Sequence, residues 1–223
     1  MYEHIREGGV LIWPLMICSV LTVAVVIDRA LAFYHNSRVD SRALRARVLE
    51  ALRAGNPDEA ARLCAATPGP VSAVLLAGLQ SYAKHQQIRG RAESITVVVE
   101  KAMEDYSQHA ISAVEKRLVV LSSIGNAAPL LGMAGTVTGM ILAFKGLAAA
   151  GSADAPEVGN GIAEALVTTA AGLLIALAAV IPFNYFTALS DRIALEIEEA
   201  SSELIDFVAT EAGMAPGEQQ AKG

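Results

Sequence analysis

The longest stretch without a charged side chain covers residues 118–144 and reads LVVLSSIGNAAPLLGMAGTVTGMILAF. A helix crosses the apolar core of a bilayer with about 20 residues, so these 27 residues suffice for one membrane span. Two further charge-free runs cover residues 10–27 and 165–190, with 18 and 26 residues. The sequence therefore predicts an all-α membrane protein with three transmembrane helices and helical extensions outside the bilayer.

The composition supports this class and argues against several others. The 223 residues are 53% hydrophobic and 18% charged, whereas a typical soluble domain has about 25% charged residues. The net charge of −6 argues against a nucleic-acid partner, because phosphate binding requires a basic patch. No metal-ligand spacing, phosphate loop or nucleophile motif occurs in the sequence. We therefore expect neither an enzyme nor a bound metal or cofactor.

Basic residues are concentrated between the first and second charge-free runs, which places that segment in the cytoplasm. The N-terminus and the short link between the last two spans then face the periplasm, and the C-terminus is cytoplasmic. The predicted parts are 1–34 (N-terminus and first span), 35–117 (cytoplasmic helical domain), 118–147 (second span), 148–157 (short periplasmic link), 158–190 (third span) and 191–223 (cytoplasmic amphipathic helix and disordered tail).

The cytoplasmic segment is expected to contain helices over residues 39–54 and 71–84, with another helix opening at Pro57. Residues 91–124 contain neither Gly nor Pro, which predicts one continuous helix that enters the second span.

An amphipathic helix is predicted to continue out of the third span. Its acidic residues favour a solvated face, with a partner-docking face as the alternative. The apolar stripe consists of Ile193, Ile197, Leu204 and Val208.

Glu164 is the candidate ion-handling residue, because an ionisable side chain within a span is costly and counts as a functional hypothesis. If the span enters near Glu157, Glu164 lies about 10 Å deep at 1.5 Å per residue. At 100° per residue, Glu164 and Thr168 share a helix face, and Thr169 lies about 140° from Glu164. The alternative places Glu164 at the membrane interface near the start of the helix, where it would favour the helix dipole.

A stripe of small residues in the second span would let a neighbouring helix approach closely. Thr136 is its one polar member, and antiparallel spans can bring Thr136 near Glu164. A carboxylate with nearby hydroxyls and small neighbours can hold a proton or replace part of a cation's hydration shell. Close packing alone is the alternative reading of the stripe, whose members are Gly125, Gly132, Thr136, Gly139 and Ala143.

Three motifs resemble the ExbB/TolQ/MotA proton-channel family, and most closely its ExbB branch. LLGMAGTVTGM (130–140) resembles the second-span motif, whose threonine matches Thr136. IAEALVTTAAGL (162–173) resembles the third-span motif, whose pore glutamate matches Glu164 and whose second threonine matches Thr169. PFNY (182–185) resembles the closing motif, with its asparagine at Asn184 and its proline closer than in the familiar pattern.

The resemblance implies a homo-oligomeric ring, usually of five copies, in the bacterial inner membrane around a one-span partner like ExbD or TolR. Ion flow would turn that partner and drive a TonB-like envelope protein. TolQ-like or MotA-like roles, a non-conducting scaffold, and Na⁺ in place of H⁺ remain alternatives. The expected ion pathway consists of Glu164, Thr136, Thr169 and the possible helper Thr168, with Gly132, Gly139, Gly172 and Asn184 in packing or pore lining.

Overall fold

The computed structural model describes residues 11–37, 40–86, 92–150 and 155–214, which form α-helices joined by turns, without a strand in those ranges. The all-α prediction is therefore confirmed. The helices are α1 (Ile12–Ser37), α2 (Ser41–Arg53), α3 (Pro57–Ala66), α4 (Pro70–Gln86), α5 (Ala92–Glu115), α6 (Leu118–Ala150) and α7 (Ala155–Met214).

Three helical stretches are long and apolar enough to cross a membrane, as predicted. They are Ile12–Asn36 in α1, Leu118–Ala148 in α6 and Val158–Thr210 in α7. Their large apolar side chains point outward, including Leu142 at 68% exposure and Leu174 at 67%. Helices with such exposed faces are suited to a lipid environment, where apolar surface has no water to avoid.

The chain divides into two compact units. The span unit comprises Met1–Leu31 and Arg117–Thr187, and the bundle unit comprises Ala32–Lys116 and Ala188–Gly223. In the span unit, α6 and the first part of α7 pack antiparallel along a line of small residues. Within α1, Asp28 pairs with the guanidinium of Arg117, which links α1 to the turn before α6.

The bundle unit has a core of large aliphatic side chains from α2, α4, α5 and the last part of α7. The Asp40 carboxylate caps α2 by accepting from the backbone N–H groups of Arg42 and Ala43, both at 3.1 Å. Gly55, in the connection between α2 and α3, has a positive φ of 75°, a conformation that glycine adopts without strain. The central core residues include Val48, Leu52, Val74, Leu75, Leu79, Val99, Met103, Ile197, Leu204 and Val208.

The predicted continuous helix over residues 91–124 is wrong in one respect. A turn at Lys116 and Arg117 separates α5 from α6. No signal in the sequence marks this break, because the residues around it are charged and include neither Gly nor Pro.

Of the predicted periplasmic link 148–157, residues 148–150 end α6 and 155–157 begin α7, and residues 151–154 lie outside the described ranges. The predicted disordered tail lies partly outside them as well, from residue 215 onward.

Candidate functional site

The α6–α7 seam is the line along which these two helices pack, and glycines bring their backbones into contact. A Cβ atom on Gly132 would lie 3.1 Å from the Cα of Thr169. One on Gly172 would lie 2.6 Å from the carbonyl oxygen of Ala128, and one on Gly139 would lie 2.8 Å from the Cβ of Ala165. Any larger residue at these positions would therefore push the helices apart.

The contacts along the seam fix the register of the two helices. Gly125 meets Val180 near one end and Ala143 meets Gly161 near the other, so the helices run antiparallel throughout. In this register, Thr136 lies level with Thr168. Glu164 lies four residues away from that level, which is about 6 Å along the axis at 1.5 Å per residue. The antiparallel arrangement thus brings Thr136 and Glu164 to within about one helical turn of each other along the axis.

Thr169 makes a hydrogen bond across the seam. Its Oγ1 donates to the carbonyl oxygen of Gly132 at 2.8 Å. The absence of a side chain on Gly132 leaves room for the Thr169 backbone beside it. Hydrogen bonds of this kind stabilise helix pairs in membranes by about 0.6 kcal/mol on average. Thr169 therefore fastens α7 to α6 in addition to any role toward an ion.

Thr168 is the most deeply buried of the predicted polar residues, with 1% of its surface exposed. A Cβ on Gly135 would lie 2.5 Å from the Thr168 methyl carbon, so the glycine makes room for this side chain. Its hydroxyl donates to the backbone carbonyl of Glu164 at 3.0 Å. Thr168 thus joins the backbone of the candidate carboxylate residue to the seam.

Thr136 and Glu164 are both half-buried. The Thr136 hydroxyl donates to the carbonyl of Met133 on its own helix at 2.7 Å, so the structure does not join it to Glu164 by a hydrogen bond. Among the described residues, no hydrogen bond or ion pair ends on the Glu164 carboxylate. The carboxylate and the hydroxyl oxygen of Thr136 can therefore each accept a further partner.

The alternative that places Glu164 at the membrane interface includes a favourable interaction with the helix dipole. Helix α7 begins at Ala155, nine residues earlier, so Glu164 is well beyond the first turn. The favourable effect of the helix dipole falls off within the first turn. A role of Glu164 at the positive end of the dipole therefore does not hold.

Asn184 lies far from the other predicted residues. It follows Glu164 by 20 residues on the same helix, about 30 Å at 1.5 Å per residue. Its side chain is exposed, as is that of its neighbour Tyr185. The structure thus does not bring Asn184 together with Glu164 and the threonines.

Gly135 and Gly161 contribute to the seam without having been assigned a role from the sequence. In α6 the residues that meet α7 alternate in steps of four and three, from Gly125 through Ala128, Gly132 and Gly135 to Gly139. This alternation is typical of left-handed helix packing. The predicted stripe continued from Gly132 by a step of four to Thr136, whereas a step of three would have identified Gly135.

A second polar cluster in the span unit was not predicted. The Asp28 carboxylate accepts from Arg29 Nε at 2.9 Å and from Arg29 Nη2 at 2.7 Å, and also pairs with Arg117. Both arginines thus pair with one carboxylate, at the point in α1 where the charge-free run 10–27 ends. Within the described parts of the chain, no group of three His, Cys, Asp or Glu side chains could hold a metal ion.

Comparison with known proteins gives consistent matches. Residues 66–199 match the MotA/TolQ/ExbB proton channel family. The biopolymer transport protein exbB1 of Vibrio cholerae serotype O1 is 34% identical over 196 residues, covering 86% of this chain and 82% of that protein. ExbB of Xanthomonas campestris pv. campestris is 30% identical over 165 residues, covering 70% and 65%. The Tol-Pal system protein TolQ of Pseudomonas aeruginosa is 33% identical over 136 residues, 59% of each chain.

Proposed function

The chain belongs to the MotA/TolQ/ExbB proton channel family, and we propose that it is a ring subunit of a motor driven by the proton-motive force. The motor lies in the bacterial inner membrane and energises an envelope process such as TonB-dependent outer-membrane transport. The predicted resemblance to the ExbB branch is confirmed by relatives that are 30% and 34% identical. The observation that carries the functional proposal is the half-buried Glu164 beside the threonine-lined α6–α7 seam.

The chemistry of the seam supports an ion pathway. A carboxylate within an apolar helix is costly unless it is neutralised by a proton or balanced by a cation. Glu164 takes up the ion in this proposal, and Thr136 offers a hydroxyl oxygen about one turn away along the axis. Thr169, by its hydrogen bond, and Thr168, by its packing against Gly135, fix α7 against α6, so that the carboxylate keeps its place while the ion moves. No resident cofactor takes part in the proposal, and the translocated ion is H⁺, with Na⁺ as the alternative.

The exposed apolar faces support an assembly within the membrane. Large side chains on all three spans point away from the chain, among them Trp13, Val137 and Leu174. These faces fit both lipid and the helices of other subunits. We infer a homo-oligomer, with five copies as the expected number, that surrounds a one-span partner like ExbD or TolR and acts on a TonB-like protein.

The main test replaces Glu164 by Gln in the full-length protein, reconstituted with its co-purifying partner in vesicles. We expect proton uptake under an imposed gradient to fall to the level of empty vesicles, because an amide cannot exchange a proton at neutral pH. The matched control is Glu50→Gln, which makes the same change on the exposed face of α2. Undiminished proton uptake by Glu164→Gln would overturn the assignment.

A second test separates Thr136 from a neighbouring threonine on the same helix. Thr136 and Thr138 both donate to carbonyls of α6, but Thr138 is exposed whereas Thr136 is half-buried. We expect Thr136→Ala to slow proton uptake by on the order of 10²-fold, the lower end of the range for positioned groups that assist proton transfer. Thr138→Ala should leave it unchanged. Equal rates for the two variants would remove Thr136 from the pathway.

The similarity to TolQ supports a second candidate function, in which the same motor maintains the envelope instead of driving uptake. A MotA-like role in motility is the corresponding third case. The one-span protein that co-purifies with the chain distinguishes these functions. If the chain is a non-conducting scaffold, Glu164 and Thr136 can both become apolar without functional loss. A vesicle assay with a sodium gradient in place of the pH gradient distinguishes Na⁺ from H⁺ as the translocated ion.

The proposed topology places the N-terminus in the periplasm, α2 to α5 in the cytoplasm and the C-terminus in the cytoplasm. It is supported by the arginines of α2, of which Arg42, Arg47 and Arg53 are exposed. A membrane-impermeant thiol reagent should label a cysteine at position 2 in intact spheroplasts. The same reagent should label a cysteine at position 220 only after the membrane is broken, and the reverse pattern would invert the topology.

A further inference from the structure

The bundle unit contains an open groove between α5 and the last part of α7. It encloses about 930 Å³. It is lined in part by apolar side chains, among them the buried Met103 and Ile197 and also Leu195, which is 60% exposed although it lies beyond the charge-free part of α7. An apolar groove that is rimmed by polar residues is typical of an interaction surface.

The rim of the groove is acidic. Glu100 and Glu104 line it from α5, and Asp191 and Glu198 line it from α7, whereas no basic residue is among the lining residues. All four carboxylates are exposed, and no described side chain forms an ion pair with them. The groove therefore fits an occupant that combines an apolar strip with positive charges.

Helix α2 presents positive charges beside a small apolar residue on a face next to its core-facing side. Arg42, Ala46 and Arg53 lie on this face at steps of four and seven residues, and the half-buried Leu49 at its edge packs against the core. Both arginines are exposed, and neither pairs with a carboxylate within the described ranges. They are 11 residues apart, about 16 Å at 1.5 Å per residue. The lining residues of α7 extend from Asp191 to Ile205, about 21 Å on the same scale.

Within one chain, α2 already packs against a different flank of α7. Arg45 Nη1 lies 3.0 Å from Glu199 Oε2 and 3.3 Å from Glu203 Oε1. Ser41 donates to Glu196 at 2.8 Å. At 100° per residue, these acids lie about 130° around α7 from Asp191 and Glu198. None of the described residues that line the groove belongs to α2 of the same chain.

We propose that the α5–α7 groove of one copy receives the Arg42–Arg53 face of α2 from a second copy. The two surfaces differ, so the contact is head-to-tail, and such a contact forms a ring when the rotation between copies closes. The inference rests on the proposed assembly of several copies and adds the surfaces that join them outside the membrane. It assigns the acids of the groove to docking, where the sequence favoured a solvated face.

The first test reverses the charges in the full-length protein purified in mild detergent. Arg42→Glu with Arg53→Glu, or Asp191→Lys with Glu198→Lys, places like charges opposite each other. We expect each pair to weaken association by on the order of tenfold, measured by native mass spectrometry over a dilution series. Combining all four changes should restore association. Arg62→Glu, an exposed change on α3, is the control expected to have no effect, and circular dichroism verifies the helix content of each variant.

The second test detects the contact directly. In a Cys18→Ser, Cys64→Ser background, Ala46→Cys and Ser202→Cys in the same chain should form disulfides between copies under mild oxidation. A ladder of covalent dimers, trimers and larger species is expected, whereas Gln80→Cys with Ser202→Cys should remain monomeric on a denaturing gel.

The outcomes separate this inference from the proposed function. Particles of single-chain mass would remove the assembly and the docking contact together. Multi-copy particles with active proton uptake, but with neither a ladder nor a charge effect, would overturn the docking contact and leave the proposed function intact. Release of a different, basic protein by the groove variants, with the number of copies unchanged, would also overturn it.

Discussion

The seam of the span unit and the core of the bundle unit hold their helices together in opposite ways. At the seam, Gly132 and Gly172 bring backbones into contact, and Thr169 adds a hydrogen bond across it. In the bundle, large side chains such as Met103 and Leu204 fill the space between helices. The seam buries little side-chain volume, whereas the core buries much.

The solvent explains this difference. In water, burying apolar surface contributes about 25 cal/mol per Å², so large aliphatic side chains stabilise the bundle. In a bilayer the surroundings are as apolar as leucine, so close backbone packing and hydrogen bonds stabilise helix pairs instead. The same chain thus uses large side chains where water is excluded and small ones where lipid is displaced. Substitutions that fit one region should fail in the other.

The largest effect is expected in the bundle core. Leu204 is 1% exposed, and Leu204→Ala should lower the free energy of unfolding by about 2–5 kcal/mol through lost burial and a residual cavity. Thermal unfolding in detergent, followed by circular dichroism, measures this loss. The same change in the span unit, Leu174→Ala, removes a side chain that is 67% exposed and should have little effect. A comparable loss at both positions would mean that the outer face of α7 is packed against protein rather than lipid.

The next effect is expected at the seam. In Gly172→Ala the added methyl would lie 2.6 Å from the carbonyl oxygen of Ala128, a backbone atom that cannot move unless α6 and α7 separate. We expect a loss of about 1–3 kcal/mol, the usual range for overpacking, and a fall in proton uptake in vesicles. Thermal unfolding and the vesicle assay measure the two effects.

Two alanine variants serve as controls for that prediction. In Gly78→Ala the methyl meets the Sδ of Met103, and this flexible side chain can move aside at a smaller cost. In Gly146→Ala nothing lies within 4 Å, and alanine favours the helix, so stability should not fall. If all three variants lost the same stability, the loss would come from the backbone conformation of glycine and not from the close approach of the two helices at Gly172.

A smaller effect is expected for the hydrogen bond across the seam. Thr169→Val keeps the shape of the side chain but removes the donor to the Gly132 carbonyl, and should cost about 0.6 kcal/mol. Thr138→Val is the matched control, because its hydroxyl bonds only to carbonyls of its own helix. Equal stability of the two variants would show that backbone packing alone holds the seam.

An effect that is absent at neutral pH is expected in the bundle. Burial raises the pKa of the Cys64 thiol from 9.0 to about 11. Below pH 9 the thiol is protonated in the folded and unfolded chains alike, so it contributes no pH dependence. Between about pH 9 and pH 11 only the unfolded chain ionises, and stability should fall as the pH rises. Cys64→Ala should lose less thermal stability over that interval than the native chain, and identical pH profiles would contradict the predicted burial effect.

Helix content and the number of spans could be predicted because they depend on local sequence. Charge-free runs of sufficient length must form helices in lipid, where every backbone N–H and C=O needs an internal partner. Glu164 and the small-residue stripe were likewise visible, since helical spacing fixes which residues share a face. The break at Lys116 and Arg117 was not visible, because no helix-breaking residue marks it.

The sequence by itself determined that three helices are long and apolar enough to span a membrane, and that one of them carries an acid with threonines on nearby turns. Only the tertiary structure decided the partners of those threonines. Thr169 reaches the Gly132 carbonyl, Thr168 packs against Gly135, and Thr136 bonds to its own helix. The physical reason is that periodicity sets the rotation of a residue about its own helix axis. The depth and register of one helix against another depend on contacts between residues that are distant in the chain.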